Sequence, residues 1–221
     1  MLESALTRSR VRWSAIALGL SAFLLALFPL VRPYFPMDPT QPADTLAGAA
    51  SAVTSAAWLL AHALATVGFI LLLCGLPALY ASLSGEAGEP AALRALVLSG
   101  TGVTLVLPTL GVELYALPAI GRIYLSGTRE IAPIVGFIYL GAATGVMLLG
   151  LLLLAIGAIT FAIVIWRTAA LPKWGGAAFG VGLALWLPLL PPPVRIVDGL
   201  LIGVGGLWLA WEIWRAQRFQ M

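Results

Sequence analysis

A chain of 221 residues, 61% hydrophobic and only 10% charged, cannot fold as an ordinary water-soluble domain, in which about a quarter of residues are charged and polar surface must cover the apolar interior. Its net charge of +3, from twelve Lys and Arg against nine Asp and Glu, sits near the ends of apolar runs without forming a patch, which argues against a nucleic-acid surface. A single cysteine and a single histidine leave no intrachain disulfide, no bis-His haem ligation and no Cys- or His-built metal site, so neither a metal nor a cofactor is expected. The expectation is an all-α, polytopic integral membrane bundle of about six transmembrane helices, one transmembrane domain over 1–221, with the lipid bilayer as its partner.

The first apolar run, 13–32, follows Arg8, Arg10 and Arg12 as a signal peptide would. It is longer than a signal core, and "LVRPYFPMD" offers no small-x-small cleavage site, so it reads as a retained span. An outer proline-rich loop, 33–53, comes next, with Pro33, Pro36, Pro39 and Pro42 at every third position. Polyproline II has three residues per turn, so these prolines share one edge and read as a stiff spacer; the alternative is an arm that binds a partner. The second span, 54–82, contains His62 and Cys74, the latter read as a small packing residue. The third, 93–119, contains Pro108, Gly111 and Pro118, and a kink is expected there. The fourth, 134–166, is too long for a straight crossing, so its start beyond Pro133 is expected to project or lie along the surface. The fifth, 174–191, is short and ends in "LPLLPPP"; the sixth, 198–214, ends in a Trp-rich stretch.

No inverted repeat stands out. "GAATG" (141–145), "GAAFG" (176–180) and "GLLIG" (199–203) are GxxxG patterns, which let helix backbones approach closely in lipid. They suggest tight packing of the last three spans, either within the chain or in a homo-oligomer. With the N-terminus inside, eight of the twelve cations fall in inner segments and four in outer ones. The positive-inside rule then gives N-in, C-in. The absence of asparagine fits a bacterial plasma (inner) membrane.

The residues that need explaining are the ionisable ones inside spans. His62 and Glu113 lie ~12 Å and ~9–12 Å from the outer ends of spans two and three at 1.5 Å per residue. Ser55, Trp58, His62 and Thr66 make one helical stripe; Thr101, Thr109 and Glu113 make another. If the stripes meet, Glu113 gains an imidazole partner and the high cost of a lone carboxylate in lipid falls. His62, Glu113, Thr66, Thr109 and Tyr115 are therefore the candidates for a binding or proton-responsive site; the alternative is a polar clamp between helices. Arg32 and Arg122 either snorkel or line a vestibule above it. Glu212 with Arg215 reads as an exposed pair, and Asp198 with Arg195 as a short-loop pair or cap. No catalytic residue is assigned. Three functions compete: binding or moving a small solute, ion or proton; a structural or accessory membrane subunit; and, third, an intramembrane enzyme. The ligand cannot be read.

Overall fold

The computed structural model describes residues 2–35, 42–187 and 190–218. Among them there is no strand. The helices are α1 (Leu2–Val31), α2 (Pro42–Thr54), α3 (Ala56–Ala81), α4 (Glu89–Gly111), α5 (Leu117–Leu125), α6 (Ala132–Leu140), α7 (Ala142–Thr168), α8 (Lys173–Ala184) and α9 (Pro192–Ala216). A π turn, Val112–Ala116, joins α4 to α5, and a 3₁₀ turn, Arg129–Ile131, precedes α6. Five helical stretches are long and apolar enough to cross a membrane: Ser9–Val31, Ala56–Ala81, Glu89–Leu125, Arg129–Thr168 and Pro192–Ala216.

Six helices close into a ring. α1 packs on α3, α3 on α4, α4 on α7, α7 on α8, α8 on α9, and α9 returns to α1. One continuous core of Leu, Ala, Phe and Val fills the ring. α2 lies on α5 at one end of the bundle, which we call the His62 end; the opposite end is marked by Lys173. Exposed Trp13, Trp166, Trp174 and Trp211 cluster among the termini and turns of the Lys173 end, and Trp166 and Trp174 meet edge to face at 5.1 Å.

Four departures from the sequence reading have local causes. The stretch 33–53 is not all loop, because α2 begins at Pro42, where a residue without an N–H costs a helix nothing; Pro36 and Pro39 lie outside the described residues. Among the described residues of the fifth expected span, only 174–184 are helical, as part of α8. The ring of Pro188 would strike the carbonyl of Ala184 if the helix continued, so it stops short. The fourth span breaks at Gly141, whose extended backbone (φ −87°, ψ −177°) separates α6 from α7. In the third, a π turn stands where a kink was expected. Leu117 donates to Val112 O five residues back, and this wider turn relieves the clash of Pro118 with the carbonyl of Leu114.

Glycines set the helix separations. A Cβ on Gly102 (α4) would come within 2.5 Å of Leu154 N (α7), and one on Gly182 (α8) within 2.7 Å of Ile202 N (α9). Gly176 and Gly180 face α7, whereas Gly199 and Gly203 face α1, so two of the GxxxG patterns are covered within the chain. In the third pattern Gly141 is the helix break, and Gly145 meets nothing within 4 Å. Cys74 is exposed on the apolar surface of α3 rather than packed inside.

Candidate functional site

Ser55 starts the site by starting α3. Its hydroxyl accepts from Trp58 N at 3.1 Å, an N-cap that fixes the helix entry one turn before Trp58 and two before His62. Trp58 and His62 are 2% and 0% exposed, and their rings stack with centroids 4.1 Å apart. From α1, Phe28 meets the His62 ring edge-on at 5.4 Å.

Glu113 reaches this wall from the π turn. Its Oε2 lies 3.0 Å from His62 Nε2, so the pairing expected from matched depth is present. The contact is close but not directed: Nε2 has no partner in hydrogen-bond geometry. Trp58 Nε1 donates to the Glu113 main-chain oxygen at 2.8 Å, and Tyr139 of α6 donates its hydroxyl to Oε1 at 3.1 Å. Backbone and side chain of Glu113 are thus held by three residues of two helices, α3 and α6.

The contacts fix the protons. His62 Nδ1 is 2.8 Å from Trp58 O, and a carbonyl can only accept, so Nδ1 carries its hydrogen. A neutral ring would then turn the lone pair of Nε2 toward a carboxylate. A proton held between Nε2 and Oε2 would give either imidazolium with carboxylate or imidazole with carboxylic acid. The pair is neutral overall in both forms.

Beside it lies a cleft of about 40 Å³ lined by Phe28, Arg32, Thr109, Glu113, Trp186 and Arg195, with aliphatic neighbours from α4 and α7. Arg32 stacks over Trp58 at 5.1 Å and over Tyr34 at 5.2 Å. Arg195, only 3% exposed, lies over Phe28 at 5.5 Å and Trp186 at 5.0 Å. Its Nη1 donates to Leu187 O at 2.9 Å. That carbonyl belongs to non-helical backbone past the end of α8, which needs a donor wherever water is excluded. Asp198, one turn along α9, is 3.6 Å from Arg195 Nε, too far for a hydrogen bond, and both of its oxygens and that Nε lack directed partners. A second groove, about 290 Å³ and mainly apolar, runs between α4 and the α6–α7 break; Thr109 and Tyr139 border it.

Of the residues singled out in the sequence, His62, Glu113, Thr109 and Arg32 come together. Thr66 donates to His62 O at 2.7 Å and supports the helix rather than the cleft. Tyr115 is 76% exposed and points away from the site, because it lies two residues from Glu113, about 200° around the helix axis. Arg122 and Thr101 are exposed on other faces. Tyr139 and Trp186 carried no sequence signal, since an aromatic in an apolar run is ordinary. Arg195, read as a loop residue, is buried within the first turn of α9. Glu212 does pair with Arg215, at 3.1 Å. No grouping of His, Cys, Asp and Glu among the described residues could hold a metal. No family model matches the chain, and no curated protein or solved structure is significantly similar to it. What fold and site define is a class: an apolar helical bundle of membrane-spanning type with a buried ionisable pair at one end.

Proposed function

We propose that this is a multi-pass protein of a bacterial plasma membrane, N-in and C-in, that binds or moves a small solute, ion or proton at the His62–Glu113 site in the outer half of the bilayer. α8 and the segment after it would make the sixth crossing. One observation carries the reading: a fully buried imidazole and a carboxylate lie 3.0 Å apart beside a cleft that the same carboxylate lines. Histidine titrates near neutral pH, and an intramembrane ionisable pair marks a functional site more often than a packing device. The competing reading, a structural or accessory subunit in which the pair is a clamp, is favoured by the complete burial of His62.

Trp58 reports on the pair because it stacks on His62. Titrating the purified protein from acid to alkaline pH should reveal a fluorescence component that His62→Gln and Glu113→Gln each abolish. A titration identical in wild type and both variants would leave the clamp. Orientation is checked in a Cys74→Ala background: Thr128→Cys should react with an impermeant thiol reagent from outside, and Ala87→Cys only after the membrane is opened.

A further inference from the structure

Charge counting at the His62 end exposes an imbalance. Arg32 beyond α1 and Arg195 on α9 line the cleft, and each carries a fixed positive charge. Asp198 behind Arg195 supplies one negative charge. The His62–Glu113 pair, while it holds its shared proton, supplies none in total. Tyr34 and Tyr139 are neutral phenols, and α7 presents only Met147 and Leu151. Among the side chains that line the cleft, with Asp198 behind Arg195, one positive charge is left uncompensated while the pair holds its proton, and an unpaired charge is costly on the side where Arg195 is shut away from water.

We propose that the cleft between Arg32 and Arg195 binds the head of a monoanionic oxoacid, a carboxylate or a phosphate ester, and that this anion enters together with the proton shared by His62 and Glu113. The proposal rests on the preceding reading of the site and gives its ligand a chemistry. Both guanidiniums are held in place before any ligand arrives, Arg32 by Trp58 and Tyr34, Arg195 by Phe28 and Trp186. Arg195 is almost fully buried, its Nε has no directed partner, and Asp198 at 3.6 Å does not satisfy it. A planar fork of donors suits an oxoanion better than a spherical halide. The volume, about 40 Å³, admits a head group and not a whole drug-sized solute, for which several hundred Å³ is usual. The proton follows from the count. With the pair protonated the cluster is +1 and one anion neutralises it. With the pair deprotonated the cluster is already neutral and the anion would restore an imbalance. Anion and proton therefore bind as a neutral couple.

The test uses the full chain in a non-ionic detergent, with sodium acetate as the free oxoanion and sodium chloride at equal ionic strength as control. Acetate should raise Tm and change Trp fluorescence at acid pH. Its Kd should weaken about tenfold per pH unit once the pair releases its proton, as one linked proton requires. Arg32→Gln should weaken acetate at least tenfold and Arg32→Lys should recover part of that; Glu113→Gln should remove the pH dependence. Arg195→Gln should behave as Arg32→Gln does, but Arg32, which is not buried, carries the test if the Arg195 variant misfolds. If acetate is inert while phosphatidylglycerol in phosphatidylcholine nanodiscs gives the same Arg32-dependent shift, the anion is a lipid head group. If neither exceeds chloride, or if the shifts persist in Arg32→Gln, the proposal falls. The Trp58 titration separates the two levels: its survival with no anion effect removes this inference alone, and its absence as well removes the proton-responsive site itself.

Discussion

From the middle of the bundle to the Lys173 end, helices meet through glycine against backbone; at the His62 end, past the Gly182 contact of α8 with α9, they meet through rings and charges. In the first region Gly75 sits on the main chain of Leu18, Gly102 on that of Leu154 and Gly205 on that of Phe179. Among the described residues, the buried polar groups there are two small hydroxyls, Ser21 and Ser99. In the second, His62, Arg195 and Asp198 are buried and large aromatics fill the space that α8 vacates by ending at Ala184. Trp186 occupies that space against Phe28 and Phe69 at 5.0 Å and 5.3 Å. A helix that stops early costs unsatisfied carbonyls and leaves volume; the arginine and tryptophan beside it offset both. One region is thus sensitive to added volume and the other to lost charge.

The sharpest way to break this contrast is a side chain in the glycine seam. Gly102→Leu places atoms where Leu154 N and Gly150 O already lie, 2.5 and 2.6 Å from a Cβ, and main chain cannot step aside. Loss of a monodisperse species on size-exclusion chromatography is expected, whereas Gly145→Leu, which meets nothing within 4 Å, should elute as wild type. Equal tolerance of both would show that the seam is not tight. At the other end volume matters less than pairing. His62→Gln and Glu113→Gln should each lower Tm in detergent, and the double variant should lose less than their sum, with a coupling of about 1 kcal/mol. Strict additivity would mean the two side chains do not interact. Tyr139→Phe removes one donor to Glu113 while Trp58 still holds its backbone; a loss of about 0.5 kcal/mol, read from the same melting curves, is expected. The smallest effect should be a gain. Ala169 caps α7 in the left-handed region, φ 55°, so Ala169→Gly should stabilise by a few tenths of a kcal/mol. A drop in Tm would mean the alanine methyl contributes packing that outweighs its backbone strain.

Much of the architecture was legible because lipid permits so little. Apolar runs of about 20 residues must be helices there, and five of the six expected spans coincide with long apolar helices, whereas the fifth meets only the short α8. The His62–Glu113 contact was legible too, since two antiparallel neighbours carried ionisable residues at one depth. What escaped the sequence depended on phase and on irregular backbone. Tyr115 was named among the site candidates, yet it lies two residues from Glu113, about 200° around a helix, and faces the opposite side. Arg195 was assigned to a loop because hydropathy could not show that α9 begins at Pro192, inside the bundle's end. The length of α8 turned on one proline clash, a feature that an average over a window dilutes.

The π turn has a consequence for how mutation can reshape this protein. Leu110, Leu117 and Gly121 are in phase for an unbroken α-helix, which would present all three to one neighbour. The wider turn at Val112–Ala116 is a surplus of one residue, about 100° of rotation. Leu110 stays in the central core, while Gly121 is turned onto Val53 and Ala50 of α2. One continuous helix thereby serves two partners in two registers. Deleting one residue from the turn would rotate α5 by about 100° relative to α4 and carry Gly121 away from Ala50 and Val53, so a single-codon change suffices to uncouple the end of this helix from α2.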